Sequence, residues 1–301
     1  MSKRVLITGV NGFTGRYMAA EMQHAGYEVI GLAHNAPTKS ASDPITLLTC
    51  DLSDRAGLRS IAEEIRPDLV VHLAGIAFVA HGDVDAIYRT NIAGTRNLLE
   101  ALAQNTHKPR SVLLASSANI YGNATTEIIE ESTLAAPAND YAVSKLAMEY
   151  TAKLWTGHLP ITIVRPFNYT GVGQSVSFLL PKIVDHFKRR APVLELGNLE
   201  VIRDFSDVRS VVRSYHRLLE TATGGETLNV CSGTGHSLQE VLQTMRDLTG
   251  HHPEIRVNPA FVRASEVHRL IGSRARLESI IGETTLIPLQ ETLQWMLESD
   301  Y

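Results

Sequence analysis

Tyr141 and Lys145 stand four residues apart in the run Tyr-Ala-Val-Ser-Lys, which on a helix sets a phenol and an ammonium on one face. A neighbouring Lys⁺ stabilises phenolate, so the tyrosine is expected below its ordinary pKa of about 10, where it serves as general acid or base near neutral pH. The same ammonium can hold a ribose. By itself the pair also reads as two solvated residues on a helix surface. Ser117 adds to it: in Ala115-Ser116-Ser117-Ala118-Asn119-Ile120-Tyr121-Gly122 an apolar run ends in hydroxyls, and in a doubly wound sheet the carboxyl ends of strands face the ligand crevice. Ser117 is then placed to hold a carbonyl or hydroxyl, and Ser117, Tyr141 and Lys145 form one proton-transfer set. Ser116 is the competing assignment, and a strand-end cap is the plain one for either serine. Asn91, in Asn91-Ile-Ala-Gly94-Thr95, either supports Lys145 through a water or braces the fourth strand.

A second constellation opens the chain. Val5-Leu6-Ile7-Thr8-Gly9-Val10-Asn11-Gly12-Phe13-Thr14-Gly15 reads strand, glycine turn, helix. Gly9, Gly12 and Gly15 permit a tight turn and let backbone N–H groups of Phe13 and Thr14 approach a pyrophosphate at the positive end of the helix. The spacing is G-x-x-G-x-x-G, and three ordinary turn glycines are the alternative. The acidic ribose partner expected about 20 residues on is missing, since the second strand ends Gly31-Leu32-Ala33-His34-Asn35. Without a carboxylate to repel a 2′-phosphate, NADP(H) is expected over NAD(H), which stays possible, with His34, Arg16 and Lys39 as phosphate partners. Asp51 either accepts from the adenine amino group or is a loop Asp before the next helix.

These groups need a scaffold, and the first half of the chain supplies its rhythm. Short apolar runs at Arg4 to Thr8, Glu28 to Ala33, Ile45 to Cys50, Leu69 to Ala74, Ser111 to Ser116 and Ile161 to Val164 alternate with helical patterns, as in a parallel sheet built from βαβ units. Val70-Val71 and Val112-Leu113-Leu114 lack polar alternation, which predicts strands covered on both faces. The expected fold class is α/β, a Rossmann-type doubly wound parallel sheet with a smaller α/β C-terminal substrate lobe. Residues 1–170, with 207–232 returning, make the nucleotide-binding domain; 171–206 and 233–301 make the lobe. Ser237 with Glu240 reads as a capping box for a helix ended by Gly250.

Composition narrows the classes. The 301 residues carry 28 basic and 32 acidic side chains, net −4, too balanced for a nucleic-acid or membrane surface. Cys50 and Cys231 are far apart with no neighbouring ligands, so neither a disulfide framework nor a metal site is signalled. No apolar run approaches the roughly 20 residues of a membrane span or a signal-peptide core. A soluble protein of a reducing cytoplasm is expected.

With these residues in view, the chain resembles the extended short-chain dehydrogenase/reductase family from end to end. The matching motifs are Thr8-Gly9-x-x-Gly12-x-x-Gly15, Asp51-Leu52, Leu73-Ala74-Gly75, Asn91-x-x-Gly94-Thr95, Ser117 four before Tyr121-Gly122, Tyr141-x-x-x-Lys145 and Arg165-Pro166-Phe167-Asn168. The resemblance implies a nucleotide cofactor on the N-terminal domain, also touching Leu52, Leu73, Ala74, Gly75, Asn91 and Pro166. It further implies a nucleotide-diphosphate sugar between the lobes and a homodimer packed through a four-helix bundle. Family dehydratases carry an acid two positions before the Tyr-Gly pair; here Asn119 and Ala118 stand there, which disfavours 4,6-dehydration. The Cys and His of the combined epimerase-reductases have no counterpart in Cys50 or Cys231. A 4-reductase or a 4-epimerase remains. The segments around Asn168, Arg203, Asn229 to Gly233, and Arg263 to Glu266 resemble the GDP-4-dehydro-6-deoxy-D-mannose reductases, which form GDP-D-rhamnose or its C4 epimer. By that resemblance Asn168, Arg203, Arg263 and Glu266 hold the substrate, although for each arginine a surface ion pair, such as Arg203 with Asp204 or Asp207, is the plain reading. Tyr169 and Val172 replace the His and Pro usual in those reductases, which leaves the nucleotide base open. A 4-epimerase with tightly held NAD and a non-catalytic NAD(P)-binding scaffold are the alternatives.

Overall fold

Val5-Leu6-Ile7, Val70-Val71 and Val112-Leu113-Leu114 are buried at every position. Alternate residues enter opposite cores: Val5, Ile7, Val71 and Leu113 pack on one face, and Leu6, Val70, Val112 and Leu114 on the other. The computed structural model describes residues 3–35, 45–77, 82–124, 126–261 and 267–299. Its strands are β1 (Arg4–Thr8), β2 (Glu28–Ala33), β3 (Thr46–Thr49), β4 (Leu69–His72), β5 (Ser111–Ala115), β6 (Ile161–Pro166), β7 (Asn168–Thr170), β8 (Val193–Leu196), β9 (Ile202–Asp207), β10 (Thr227–Val230), β11 (Gly235–Ser237), β12 (Glu254–Val257) and β13 (Arg269–Leu270). The helices are α1 (Phe13–His24), α2 (Arg55–Ile65), α3 (Val84–Tyr88), α4 (Thr95–Gln104), α5 (Asp140–Lys153), α6 (Leu179–Lys188), α7 (Val208–Glu220), α8 (Leu238–Thr249), α9 (Ala275–Ile281) and α10 (Leu289–Glu298).

Seven strands form one parallel sheet in the order β10-β6-β5-β4-β1-β2-β3. Helices α1 and α7 cover one face, and α2, α4 and α5 the other, so the fold is the expected Rossmann-type doubly wound α/β sheet. The order reverses between β1 and β4, where Thr8 lies opposite His72. That reversal opens a crevice at the carboxyl ends of the strands. β10 returns from the second half of the chain to pair with β6, after α7, whose N-cap Asp207 accepts from the Arg209 N–H.

Beyond β6 the chain builds smaller sheets. β11, β9 and β13 lie side by side with β7 on β9, and β8 pairs with β12. Their apolar faces pack with α6, α8 and α10 around Ile183, Phe187, Leu194, Met245 and Leu293. The Ser237/Glu240 capping box starts α8, and Gly250, at φ +63°, ends it. α9 packs on α7 and β10 rather than on this second core. Contacts that bind the layers include the Tyr17 hydroxyl donating to the Val172 carbonyl (2.6 Å) and the Arg209 guanidinium stacked 3.8 Å from the Trp295 ring centroid. Among the described residues no helix is long and apolar enough to cross a membrane.

The glycine turn sits where β1 meets α1. Gly9 is at φ +71°, and a Cβ there would lie 2.7 Å from the Ala74 nitrogen, so only glycine lets β1 close on the end of β4. A Cβ at Gly15 would lie 2.2 Å from the Gly9 oxygen and 2.7 Å from Val10 Cα, both backbone atoms that cannot swing aside. Gly15→Ala is therefore expected to push α1 off the turn and cost about 1–3 kcal/mol. The check is a urea titration: the midpoint should fall at unchanged slope, and a wild-type midpoint would refute the close-approach argument.

Candidate active site

α5 begins at the N-cap Asn139, whose Oδ1 accepts from the Ala142 N–H (2.9 Å), and this cap sets the first turn that carries Tyr141. One turn on, Lys145 reaches back to the end of β5 and donates to the Ala115 carbonyl (2.7 Å). Both side chains are buried. From β5 the chain enters a short 3₁₀ turn, Ala118–Tyr121, capped by Ser117, whose Oγ accepts from the Asn119 N–H (3.2 Å). The Ser117 side chain is also hydrogen-bonded to the Tyr141 hydroxyl. Ser116 is committed elsewhere, donating to Glu149 Oε1 at 2.5 Å. The structure thus brings Ser117, Tyr141 and Lys145 together and turns Ser116 away from them.

The protonation states differ from expectation. Burial pushes the Tyr141 phenol up to about 12, outweighing the Ser117 hydrogen bond that pulls it down. The expected drop of Tyr141 below its ordinary value is therefore overturned; desolvation of a phenolate costs more here than its neighbours return. Burial holds Lys145 down to about 8, against the Glu149 carboxylate, which raises it. At neutral pH the phenol is neutral and the amine, one helical turn on along α5, is cationic.

A buried network that sequence reasoning missed lies behind this set. Arg165, on β6, donates to both Glu149 oxygens (2.9 and 2.7 Å) and to the Tyr121 hydroxyl (2.8 Å), which donates to Asn229 Oδ1 on β10 (2.7 Å). The Glu149 side chain is 1% exposed, so charge pairing and full hydrogen bonding are what make its burial tolerable. Glu149 lies one turn after Lys145 on α5, which is the signal a helical reading could have used.

On the other side of the crevice, no side chain caps α1 at Gly12, which leaves the N–H groups of its first turn available. Phe13 stacks on Tyr169 (centroids 6.1 Å, planes 13° apart), and Thr14 Oγ1 bonds the Tyr169 hydroxyl at 2.8 Å. His34 and Asp51 are brought together as an exposed pair, Nδ1 to Oδ2 at 2.9 Å, while Asp51 Oδ1 accepts from the Ser53 N–H (2.7 Å). Those Ser53 hydrogen bonds hold the Asp51 carboxyl below its usual range. Arg16 donates to the Gly173 carbonyl (2.9 Å), and Lys39 lies outside the described residues.

Asn91 sits in a π-helical turn, Arg89–Gly94, a feature frequent at functional sites. Its side chain accepts from the Ile76 N–H (2.9 Å) and donates to the Ile76 carbonyl (3.2 Å) and to Ser144 Oγ (2.9 Å). It braces the segment after β4. A Cβ at Gly75 would lie 2.9 Å from Asn91 Oδ1 and 3.4 Å from Lys145 Nζ, and one at Gly94 would lie 2.8 Å from Leu52 Cβ. The Leu73 and Ala74 N–H groups donate to the Thr8 carbonyl and hydroxyl (both 3.2 Å), and Pro166 ends β6.

Toward the smaller sheets, Asn168 on β7 donates to the Asp204 carbonyl (3.4 Å), and Arg203 on β9 donates to the Ile202 and His268 carbonyls (3.0 and 3.2 Å). Asp204 is fully buried and accepts from Ser232 and Gly233, and Asp207 pairs with Arg209. Arg263 and Glu266 lie outside the described residues.

The model of the NAD dependent epimerase/dehydratase family matches residues 5–231, from the glycine turn through Tyr141 and Lys145 to β10. The chain belongs to that family. This NAD(P)-dependent oxidoreductase is 33% identical over 282 residues to the GDP-6-deoxy-D-talose 4-dehydrogenase of Aggregatibacter actinomycetemcomitans (93% of this chain, 91% of the relative). It is 32% identical over 310 residues to the GDP-6-deoxy-D-mannose reductase of Pseudomonas aeruginosa (99% and 97%). Among solved structures, a protein from Burkholderia cenocepacia J2315 provisionally named an epimerase superposes with a TM-score of 0.94 at 52% identity (99% and 97% covered). RMD from Pseudomonas aeruginosa, complexed with NADPH, superposes with a TM-score of 0.83 at 32% identity (99% and 97%). Enzyme status sets aside the non-catalytic scaffold, and the turn that admits no Cβ at Gly9 or Gly15 fits a close-lying pyrophosphate.

A measurable consequence follows from Lys145. Its charge is present below about pH 8 and is lost as pH rises through that value, while Tyr141 keeps its proton throughout. Turnover in the reductive direction is expected to fall along one alkaline limb centred near that pH. Glu149→Gln, which removes the carboxylate that raises Lys145, should move the limb to lower pH. A kcat profile from about pH 6 to pH 10 reads both; an unmoved limb in the variant would separate Lys145 from Glu149.

Proposed function

We propose that this enzyme reduces the 4-keto group of a nucleotide-activated 6-deoxy sugar with NADPH, taking GDP-4-dehydro-6-deoxy-D-mannose to GDP-D-rhamnose or its C4 epimer. The observation that carries the reading is the buried Tyr141 phenol, hydrogen-bonded to Ser117 and kept neutral by burial, with Lys145 one helical turn on, held at the end of β5. The full-length likeness to a GDP-sugar 4-dehydrogenase and a GDP-sugar reductase supports the substrate class. NADPH is favoured because the residue directly after β2 is His34 and not a carboxylate. Residues 1–170 with 207–232 then form the cofactor domain, and 171–206 with 233–301 the sugar-nucleotide lobe, with Asn168, Arg203, Arg263 and Glu266 as its candidate contacts.

When bound, the reduced nicotinamide supplies the hydride that adds to C4. Ser117 holds the carbonyl oxygen, and Tyr141 gives its phenolic proton to that oxygen as negative charge develops there. Lys145 stabilises the phenolate left behind, and Glu149 keeps Lys145 cationic. The backbone N–H groups of Phe13 and Thr14 at the start of α1 would hold the cofactor pyrophosphate, and Asn91 braces the Ile76 segment after β4. With Asn119 and Ala118 after Ser117, no carboxylic acid stands there to expel a hydroxyl.

The 4-epimerase reading is favoured by the 52% identical Burkholderia protein. The two part on one assay. Net NADPH oxidation with the GDP keto sugar, faster than with NADH or the dTDP keto sugar, is the expected result; no net oxidation by a protein that carries NAD⁺ would make it an epimerase. Tyr141→Phe is expected to bind cofactor normally and lose most turnover, whereas Lys145→Met loses both; a Tyr141→Phe enzyme with near-normal kcat would refute the proton-donor role.

The exposed apolar side chains Val143 and Tyr150 lie on α5, and Leu154 is its C-cap. We assign them to a homodimer seam in which α4 and α5 of two copies form a four-helix bundle. Tyr150→Glu with Leu154→Glu is expected to yield a monomer by light scattering, and an unchanged mass would place the seam elsewhere.

A further inference from the structure

His72, at the carboxyl end of β4, has no part in the proton-transfer set, yet it is 3% exposed and lies between the two halves of the site. Its Nδ1 is 2.7 Å from Thr8 Oγ1 and its Nε2 is 2.9 Å from Thr95 Oγ1. The direction of each bond follows from proton counting. The one Thr95 hydroxyl proton goes to the Asn91 carbonyl (2.8 Å), an oxygen that only accepts. His72 must therefore donate from Nε2 to Thr95, which leaves Nδ1 bare to accept the Thr8 hydroxyl proton. Thr8 Oγ1 in turn accepts from the Ala74 N–H (3.2 Å). Burial and the nearby Lys145 charge, which hold His72 down to about 3, keep a second proton off the ring.

The line does not stop at Asn91. The Asn91 side chain donates to Ser144 Oγ, which donates to the Tyr141 carbonyl (2.7 Å). One end of the line is the residue before Gly9, and the other is the backbone of the proton donor.

We propose that His72 is a positioning residue: a neutral, Nε2–H imidazole whose two opposed hydrogen bonds set the glycine turn through Thr8 and the helix of Tyr141 through Thr95, Asn91 and Ser144. It moves no proton; it fixes the separation between the cofactor cradle and the proton donor. The inference rests only on a nicotinamide cofactor lying on the Gly9 turn, whatever the sugar.

Two substitutions divide the imidazole. His72→Asn places an amide oxygen where Nδ1 lies and keeps the Thr8 bond alone. His72→Gln reaches the Nε2 position and keeps the Thr95 bond alone. The readouts are the dissociation constant of NADPH, followed by its fluorescence without sugar, and kcat with the GDP keto sugar. His72→Phe is expected to weaken NADPH binding and slow turnover by about tenfold each, the loss of roughly one buried hydrogen bond per arm. His72→Asn should recover the affinity but not the turnover, and His72→Gln the turnover but not the affinity. If both variants lose the two quantities in parallel, in step with their urea midpoints, His72 is packing alone and the proposal fails. A His72→Phe enzyme that is folded and unimpaired overturns it as well. Should the wild type turn over no keto sugar, the sugar assignment fails, and the contrast of Asn and Gln in NADPH affinity still decides the role of His72.

Discussion

The carboxyl ends of β1 and β4 stand so close that the Ala74 nitrogen occupies the space of a side chain at Gly9. That approach is what the strand reversal at the middle of the sheet demands, and the rest of the site is arranged around it. Because β1 stops there, α1 begins with an uncapped first turn at the mouth of the crevice. Because β4 stops there, Gly75 is left between Asn91 and Lys145, where a side chain would crowd Asn91 Oδ1. The glycine turn and the proton-transfer set are separate in sequence, but they share this one crowded seam.

Burial then decides the chemistry. A phenol and an amine placed in water would sit near their ordinary values and exchange protons freely. Enclosed here, the phenol rises and the amine falls, each toward its neutral form, as desolvation requires. Only Lys145 is brought near the working range, and its charge depends on Glu149, whose own burial is offset by the two bonds from Arg165. A surface interaction of the same kind would count for little; the low-dielectric setting is what lets one carboxylate a turn away matter.

The parts of this arrangement legible in the sequence are those written in local pattern. Fully apolar strand runs, the glycine spacing after β1, the hydroxyls after β5 and the four-residue step from Tyr141 to Lys145 each lie within a single element and its turn, and the doubly wound class follows from the βαβ rhythm. The sign of the Tyr141 shift was not legible, because a pair of residue types carries no record of how deeply the fold encloses them. Nor was the choice between Ser116 and Ser117, which is made by Glu149, 33 positions away. The partner of His34 was equally hidden: it is Asp51, on the loop after the next strand, so two residues assigned separate tasks form one pair.

His72 shows why such links escape pattern reading. In the sequence it is a lone polar residue inside the apolar run Leu69 to Ala74, with nothing beside it to suggest a partner. Its partners are 64 and 23 positions away, and the line continues through Asn91 to Ser144 across a further 53. None of these separations has a period. What selects the residue is a count of protons and lone pairs: the position needs one donor and one acceptor on opposite sides of a flat ring, in a space closed to bulk solvent. An imidazole held in one tautomer meets that need, and a buried polar group that is fully satisfied adds rigidity where a partly satisfied one would add cost. The glycines allow β1 and β4 to approach; the His72 line holds them in register with the proton donor, so close packing and directed hydrogen bonding act at the same point of the sheet.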